Sequence, residues 1–328
     1  MRAVDQLLQV ESLSVEYRTG TLAKAVQDVS LNLKTGETLG LVGESGSGKS
    51  TLGLAVMGLI RPPGFVTRGK IVFDGTNLLT LAPEQLRELR GRKIAMIFQD
   101  PMTSLNPVKK IGDHFVEYIH AHDSHVSEQV AKGRAKTVLE DLGIPESRLN
   151  DYPHQFSGGM RQRVMIGLAL ALEPSLIIAD EPTTALDVIV EAQILQQLAN
   201  LKSKYSLSLI LITHNMGVVA EMADRVAVMY AGRLAEVAPV NSIFGTPRHP
   251  YTEALLESIP NILASDKVLK TIPGTPPDLT HPPSGCPFHP RCRYAFERCR
   301  KEIPMPVITG NESEAACFRL EGEESRHS

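Results

Sequence analysis

The stretch GESGSGKST, at residues 43–51, decides the fold. It fits the pattern G-x-x-x-x-G-K-[ST] through Gly43, Gly48, Lys49 and Ser50, and it follows a strand pattern and opens a helical one. Glycines let the backbone fold around a phosphate, so that several N–H groups face the anion at the positive end of a helix dipole. Lys49 supplies a mobile cation, and the Ser50 hydroxyl can bind Mg²⁺. The pattern therefore predicts a nucleotide phosphate site rather than a flexible Gly/Ser turn.

A pair of carboxylates ends the apolar run LIIADEP at residues 176–182. Strand ends with two solvated acids are common, so the pair alone is a weak signal. Together with the phosphate loop it is strong, because hydrolysis needs both charge neutralisation and an activated water. We expect Asp180 to hold Mg²⁺ and Glu181 to act as the general base.

A second anion site is predicted in FSGGMRQR, at residues 156–163. Ser157 can cap the helix that follows, and Gly158 and Gly159 leave its first-turn amides bare. One nucleotide does not need two separate phosphate cradles. The pattern therefore favours two chains, each of which completes the site of the other.

Local patterns predict an α/β chain with a helical insert. Short strands are expected over residues 7–42, a helix over 49–60, a helix capped by Ser127, a hairpin around Gly232 and a short helix near PYTEALLESI. PSLIIADEP and LSLILITHN have the continuous apolar character of buried parallel strands. The seven prolines of residues 273–290 exclude regular structure there.

Composition limits the class of protein. The formal net charge is −3, from 34 basic and 37 acidic residues, and it gives no support to a nucleic-acid surface or a polybasic membrane anchor. The first residues show no signal-peptide pattern, and no apolar stretch is long enough for a membrane span. We therefore expect a cytosolic protein that contacts a membrane only through a partner.

The order of these motifs, with Gln99 in FQDP and His214 in ITHN, resembles the ATP-binding cassette (ABC) ATPases over about residues 10–245. MIFQDPMTSLNP, GMRQRVMI, EPTTALDV and the tail PGTPPDL…PPSGCPFHPRC resemble the cytoplasmic ATPases of bacterial oligopeptide and dipeptide importers. The resemblance implies an α/β P-loop NTPase (RecA-like) core with an antiparallel β subdomain, an inserted helical subdomain at about 104–163, and a cysteine-containing extension. The implied boundaries are 7–245 for the ATPase domain and 246–328 for the extension.

The resemblance also implies partners and a location. It implies ATP hydrolysis that drives peptide uptake through two transmembrane permease subunits, at the cytoplasmic face of the inner membrane. A second, paralogous ABC ATPase is the expected dimer partner in preference to a second copy. An extracytoplasmic substrate-binding protein is an indirect partner, and no nucleic acid is expected.

Family roles transfer onto matching positions. The resemblance implies that Tyr17 stacks on adenine, that Gln99 senses Mg²⁺ and γ-phosphate, that Asp187 crosses the dimer interface and that His214 steadies the γ-phosphate. The implied nucleotide contacts are Tyr17, Gly43, Glu44, Ser45, Gly46, Ser47, Gly48, Lys49, Ser50, Thr51, Ser157, Gly158, Gly159 and Asp187. The implied catalytic residues are Glu181, His214 and Gln99, and the implied Mg²⁺ ligands are Ser50, Gln99 and Asp180.

Three positions depart from the commonest family pattern. Phe156 and Met160 stand where the usual signature has Leu and Gln, and the methionine resembles the peptide-importer branch. Asn215 replaces the acid that often follows the histidine. This replacement leaves His214 intact and is expected to alter its local hydrogen bonding.

Four cysteines lie in the tail, spaced C-x5-C-x6-C-x17-C: Cys286, Cys292, Cys299 and Cys317. A reducing cytosol argues against disulfides. Structural zinc usually draws ligands in pairs two to four residues apart, which this spacing lacks. Four thiolates suit a [4Fe–4S] cluster, which is also what the resemblance implies. Zinc, with His289 as a further ligand, and unligated thiols stay open as alternatives.

Two competing functions remain at this point. One is a cassette ATPase that acts on nucleic acid or ribosomes; such proteins usually have two cassettes or a long coiled-coil insertion. The other is an iron–sulfur redox or sensor protein with a nucleotide-controlled switch, which explains the tail but not the full set of hydrolytic residues.

Overall fold

The computed structural model describes residues 6–99, 104–184, 186–259 and 271–321. Residues 100–103 of the MIFQDPMTSLNP motif therefore lie outside the described residues. The chain divides into two units. The first comprises Met1–Leu33, Thr38–Leu79 and Ile212–Ser328, and the second comprises Lys34–Glu37 and Thr80–Leu211.

The first unit contains a four-stranded sheet in the order β2-β1-β4-β5. In β1 the alternating sequence buries Leu8 and Val10, and then Leu13 and Val15, one residue out of phase. The change of phase occurs at Ser12, whose φ is +46°, where the antiparallel pairing of β1 with β4 shifts register. The strands are β1 (Gln6–Thr19), β2 (Thr21–Lys34), β4 (Gly64–Phe73) and β5 (Thr76–Asn77).

Five strands of a second sheet also lie in this unit, in the order β11-β12-β10-β9-β3. The predicted hairpin around Gly232 is confirmed, since β9 and β10 pair antiparallel, while β9 and β3 pair parallel. The tail adds an unpredicted hairpin, whose strand β12 pairs with β10. The bounds are β3 (Thr38–Val42), β9 (Arg225–Tyr230), β10 (Arg233–Pro239), β11 (Val307–Gly310) and β12 (Ser313–Ala315).

Aromatic packing joins the tail to this sheet. The rings of Tyr230 and Tyr251 lie 4.5 Å apart, and Phe288 lies 5.2 Å from Tyr230. The proline-rich segment is irregular until a short 3₁₀ turn, as predicted. The α-helices described in this unit are Lys49–Val56, Met216–Met222, Val240–Gly245, Pro250–Glu257 and Glu297–Lys301, and a 3₁₀ turn lies at His289–Arg291.

The second unit places three buried strands side by side, in the order β8-β7-β6. They are β6 (Ile94–Ile97), β7 (Leu176–Asp180) and residues 208–211 of β8 (Ser208–Thr213), and every residue in them is buried. This confirms the interpretation of the two continuous apolar runs as buried strands. β6 and β7 pair parallel.

Helices of the second unit pack around an apolar cluster that includes Phe115, Ile119 and Leu139, all fully buried. Ser127 caps its helix as predicted, by accepting a hydrogen bond from the Val130 N–H. The helices are Pro83–Arg92, Ile111–His120, Glu128–Asp141, Gly158–Leu170 and Val188–Tyr205, with 3₁₀ turns at Glu146–Asn150 and Pro153–Gln155. In the described part of the chain, no helix combines the length and apolar character that crossing a bilayer requires.

Candidate nucleotide-binding and hydrolysis site

The phosphate loop connects buried strand β3 to the helix Lys49–Val56. Gly43 and Gly48 have φ of +149° and +103°. A Cβ at Gly43 would lie 2.1 Å from the Met229 carbonyl oxygen, and one at Gly48 would lie 2.2 Å from the Ala25 carbonyl oxygen. Both the backbone conformation and the close approach therefore require glycine.

The helix begins at Lys49, and its N-cap residue, Gly48, has no side chain with which to cap the first turn. Ser45, Gly46 and Ser50 are exposed, so this stretch of loop is accessible to a ligand. Backbone donors at an open helix N-terminus suit a phosphate, and an exposed hydroxyl suits Mg²⁺. The residues present therefore fit a Mg²⁺–nucleotide.

Lys49 lies within this loop and is only 5% exposed. Its Nζ donates hydrogen bonds to the carbonyl oxygens of Gly43 at 2.8 Å and Glu44 at 2.9 Å. A third contact reaches Ser47 Oγ at 3.4 Å. The loop thus places a cation at its centre.

The predicted carboxylates lie in the second unit. Because Ile97 of β6 pairs with Ala179 of β7, the residues that follow both strands leave the same edge of the sheet. Asp180 is buried, and Glu181 has a φ of +48°, which is rare for a residue other than glycine. The structure brings Gln99 and Glu181 together, since Gln99 Nε2 donates to Glu181 Oε2 at 3.1 Å.

Thr184 also contacts this carboxylate, and the sequence analysis did not select it. Its Oγ1 donates to Glu181 Oε2 at 2.8 Å. The spacing of three residues, which returns a side chain to the same face of a turn, is the signal that could have found it. Two donors thus orient the carboxylate of Glu181.

Two helix N-termini lie close together in the second unit. Ser157 accepts a hydrogen bond from the Met160 N–H, as predicted, and Asp187 Oδ1 accepts from the N–H groups of Ile189 and Val190 at 3.1 and 3.0 Å. A Cβ at Gly159 would lie 2.5 Å from Val190 Cγ1. Glycine therefore allows the FSGGMRQR helix to approach the helix that Asp187 caps.

Two exposed aliphatic side chains follow Asp187. Val188 is 79% exposed and Ile189 is 72% exposed. Val188 and Ile189 are two adjacent β-branched residues in the first turn of a helix, and the sequence analysis did not select them. They place an apolar pair on the surface next to the Asp187 cap.

Tyr17 and His214 belong to the first unit. The half-buried ring of Tyr17 lies over Gly64, where a Cβ would meet its Cε1 at 2.5 Å. His214 is exposed at the end of β8. Asn215 caps the helix Met216–Met222 by accepting from the Gly217 N–H at 3.0 Å, so this departure supplies a helix cap. The roles of both aromatic residues stay predictions.

Comparison with known proteins agrees with this arrangement. Residues 26–184 match the sequence model of the family described as ABC transporter, and residues 235–299 match that of the oligopeptide/dipeptide transporter C-terminal region. The oligopeptide transport ATP-binding protein OppD of Bacillus subtilis is 51% identical over 311 residues, which cover 93% of this chain and 87% of that protein.

This chain belongs to the ABC transporter family. The dipeptide transport ATP-binding protein DppD of Escherichia coli is 46% identical, over 95% of this chain and 96% of its own length. Among solved structures, the dimeric ATP-binding cassette MJ0796, in a post-hydrolysis state with ADP and Pi, superposes with a TM-score of 0.64 at 28% identity. The match covers 71% of this chain and 98% of MJ0796.

The predicted α/β P-loop fold and the assignment as an ABC ATPase are thereby confirmed. The individual residue roles and the domain boundaries at 245 and 246 stay predictions.

The prediction of a [4Fe–4S] cluster is wrong. Within the described residues, no group of three or more His, Cys, Asp or Glu side chains is arranged to hold a metal ion, and zinc fails on the same finding. The thiols of Cys286, Cys292, Cys299 and Cys317 line a cavity of about 20 Å³, which has room for about one water molecule. Burial raises the pKa of the Cys286 thiol to about 11, and it raises the pKa values of Cys292 and Cys317.

Proposed function

We propose that this ABC ATPase drives the uptake of dipeptides or oligopeptides through two transmembrane permease subunits, at the cytoplasmic face of the inner membrane. The observation that carries the proposal is the match of residues 235–299 to the C-terminal region of oligopeptide/dipeptide transporters. Relatives named as oligopeptide and dipeptide transport ATP-binding proteins cover almost the whole chain and support it.

In this proposal the loop 43–51 binds the phosphates of ATP through its backbone N–H groups and Lys49. Ser50, Gln99 and Asp180 are the side chains proposed to hold Mg²⁺, and all three offer the oxygen atoms that this ion prefers. Mg²⁺ would supply charge neutralisation for the phosphates. His214 is proposed to steady the γ-phosphate, and Tyr17 to stack on adenine.

Glu181 is the proposed general base. Its carboxylate accepts a proton from the attacking water, and the hydrogen bond from Thr184 fixes the orientation in which it does so. A donor that leaves Glu181 on arrival of the nucleotide would free a lone pair for that water. Gln99 is the proposed mobile donor, because it is exposed at the end of β6.

We also propose a dimer with a paralogous ABC ATPase, in which residues 157–159 and Asp187 face the nucleotide of the other subunit. The exposed Val188 and Ile189 support this surface. An extracytoplasmic substrate-binding protein would deliver the peptide to the permease.

Purification of the tagged chain from membranes tests this function. Two integral membrane subunits and a paralogous ATPase should copurify, and proteoliposomes of that complex with its binding protein should take up labelled dipeptides or oligopeptides when ATP is present. Uptake of nickel but not of peptides would contradict the substrate class. Copurification of ribosomes or nucleic acid without membrane subunits would favour the competing cassette function.

Coupling to the permease is predicted to depend on the helical insert. Val108 precedes the helix Ile111–His120 and is 79% exposed. A buried charge in an apolar contact is costly, so Val108→Glu should reduce transport about tenfold while basal ATPase activity stays within about twofold. Val130→Glu, at a site 51% exposed on the next helix, is the matched control for a surface charge. Equal loss of transport and basal ATPase in Val108→Glu would show that this part of the insert is only structural.

A further inference from the structure

Glu44, the second residue of the phosphate loop, is fixed by contacts at three of its polar groups. Its carbonyl oxygen accepts from Lys49 Nζ at 2.9 Å. Its N–H donates to the Tyr251 hydroxyl at 2.8 Å, and its carboxylate accepts from both terminal nitrogens of Arg291. Tyr251 and Arg291 both belong to the region matched as the transporter C-terminal region. Two side chains of the extension therefore hydrogen-bond to Glu44 of the phosphate loop.

Arg291 makes the stronger of the two contacts. Its Nη1 lies 2.6 Å from Glu44 Oε2 and its Nη2 lies 2.9 Å from Oε1, so the ion pair is bidentate. Its Nε donates to the Pro273 carbonyl oxygen at 2.8 Å, and Nη1 reaches the Tyr230 hydroxyl at 3.3 Å. The side chain of Arg291 is 5% exposed and that of Glu44 is 24% exposed. The contacts with Pro273 and Tyr230 hold the guanidinium plane in the orientation in which it pairs with Glu44.

Tyr251 holds the loop from the helix Pro250–Glu257. The residue is fully buried, and its ring packs against Tyr230 and Phe288 at 4.5 and 5.3 Å. This packing holds the Tyr251 hydroxyl in place, where it accepts the hydrogen bond of the Glu44 N–H. This contact does not compete with a phosphate for the N–H groups nearer the helix start.

The negative charge of Glu44 is unfavourable for ATP binding, because in the proposed site the loop binds a polyanion. A carboxylate beside a phosphate site repels the ligand unless a cation neutralises it. The guanidinium of Arg291 provides that cation at hydrogen-bond distance. Removal of Arg291 would leave the carboxylate partly buried and uncompensated, and free to move the loop.

We propose that the C-terminal extension is a positioning element for ATP binding, in which Arg291 neutralises and orients Glu44 while Tyr251 fixes its backbone. This inference rests on the proposed role of residues 43–51 as the ATP phosphate loop. Arg291 and Tyr251 act through Glu44, not on the nucleotide. Arg291, which lies between Cys286 and Cys292, thus has a proposed role that does not involve the thiols.

The test measures ATP affinity of the full chain with a fluorescent ATP analogue, together with thermal unfolding. Arg291→Ala should weaken ATP binding about tenfold. Glu44→Gln in the Arg291→Ala background should recover affinity to within about threefold of wild type, because the uncompensated charge is gone. A purely structural role for Arg291 would lower the melting temperature without this recovery.

Arg293→Ala is the matched control, since Arg293 is an arginine of the same extension that pairs with Glu253 and Glu257. It should bind ATP as wild type does. If Arg291→Ala does not fold, Tyr251→Phe tests the second contact of the extension with Glu44 and should weaken ATP binding about threefold through loss of one hydrogen bond. Wild-type affinity in a folded Arg291→Ala or Tyr251→Phe protein would overturn the inference. A wild-type chain that does not bind ATP would instead contradict the proposed role of the loop.

Discussion

Glu181→Gln is expected to bind ATP with an affinity within about threefold of wild type and to turn it over about a thousandfold more slowly. An amide cannot accept the proton of the attacking water, whereas it keeps the size of the carboxylate. Its oxygen can still accept from Gln99 and Thr184, which lie 3.1 and 2.8 Å from Glu181 Oε2. The substitution therefore removes the base without removing the contacts that place it.

Phosphate release measures this turnover, and size-exclusion chromatography with ATP detects the trapped dimer that slow hydrolysis should accumulate. Glu191→Gln is the matched control, because Glu191 also accepts a threonine hydroxyl, from Thr183 at 2.8 Å, in the same unit. The control should keep activity within about threefold of wild type. Wild-type turnover by Glu181→Gln would remove Glu181 from the role of general base.

Predictions from local sequence signals succeeded because a few neighbouring residues determine them. The caps at Ser127 and Ser157 need only a hydroxyl ahead of a helical pattern. Because β7 and β8 are buried along their whole length, their sequences are continuous apolar runs, which is the pattern that indicates buried strands. The contact of Gln99 with Glu181 was not predicted, and the parallel pairing of β6 with β7 gives it a physical basis.

Features that depend on distant parts of the chain were not predictable in this way. The pair of Arg291 and Glu44 joins positions 247 residues apart, and no periodicity marks either residue. The hairpin of β11 and β12 joins the sheet through β10, although Ile308 of β11 is 77% exposed and gives no core-facing pattern. Such pairings are set by tertiary contacts that a local pattern does not contain.

The cysteine quartet shows the limit of spacing as evidence. The four thiols do meet at one cavity, as a ligand set would, but the cavity is only about 20 Å³. Spacing along the chain restricts which residues can approach, and it does not fix the directions or separations of their sulfur atoms. The iron–sulfur prediction was wrong because it inferred a ligand arrangement from spacing alone. The ATPase prediction rested on the phosphate-loop motif, whose positive φ angles at Gly43 and Gly48 are present in the structure.

Lys49→Ala is expected to weaken ATP binding about a hundredfold and to abolish turnover. Lys49 is 5% exposed, and its ammonium group lies among the carbonyl oxygens of Gly43 and Glu44. In the proposed site it can therefore exchange these acceptors for phosphate oxygens with little movement. Alanine leaves the phosphate charge without this partner and the two carbonyl groups without their donor.

Titration with a fluorescent ATP analogue measures the affinity, and thermal unfolding establishes that the variant is folded. Lys70→Ala, which removes an exposed lysine paired with Glu11 at 3.6 Å in the same unit, should bind and hydrolyse ATP as wild type does. The two variants should differ in whether they form an ATP-bound dimer. Glu181→Gln should accumulate this dimer and stay slow at any ATP concentration, whereas Lys49→Ala should form no stable ATP-bound dimer. ATP affinity of a folded Lys49→Ala protein equal to that of wild type would contradict the assignment of residues 43–51 as the phosphate loop.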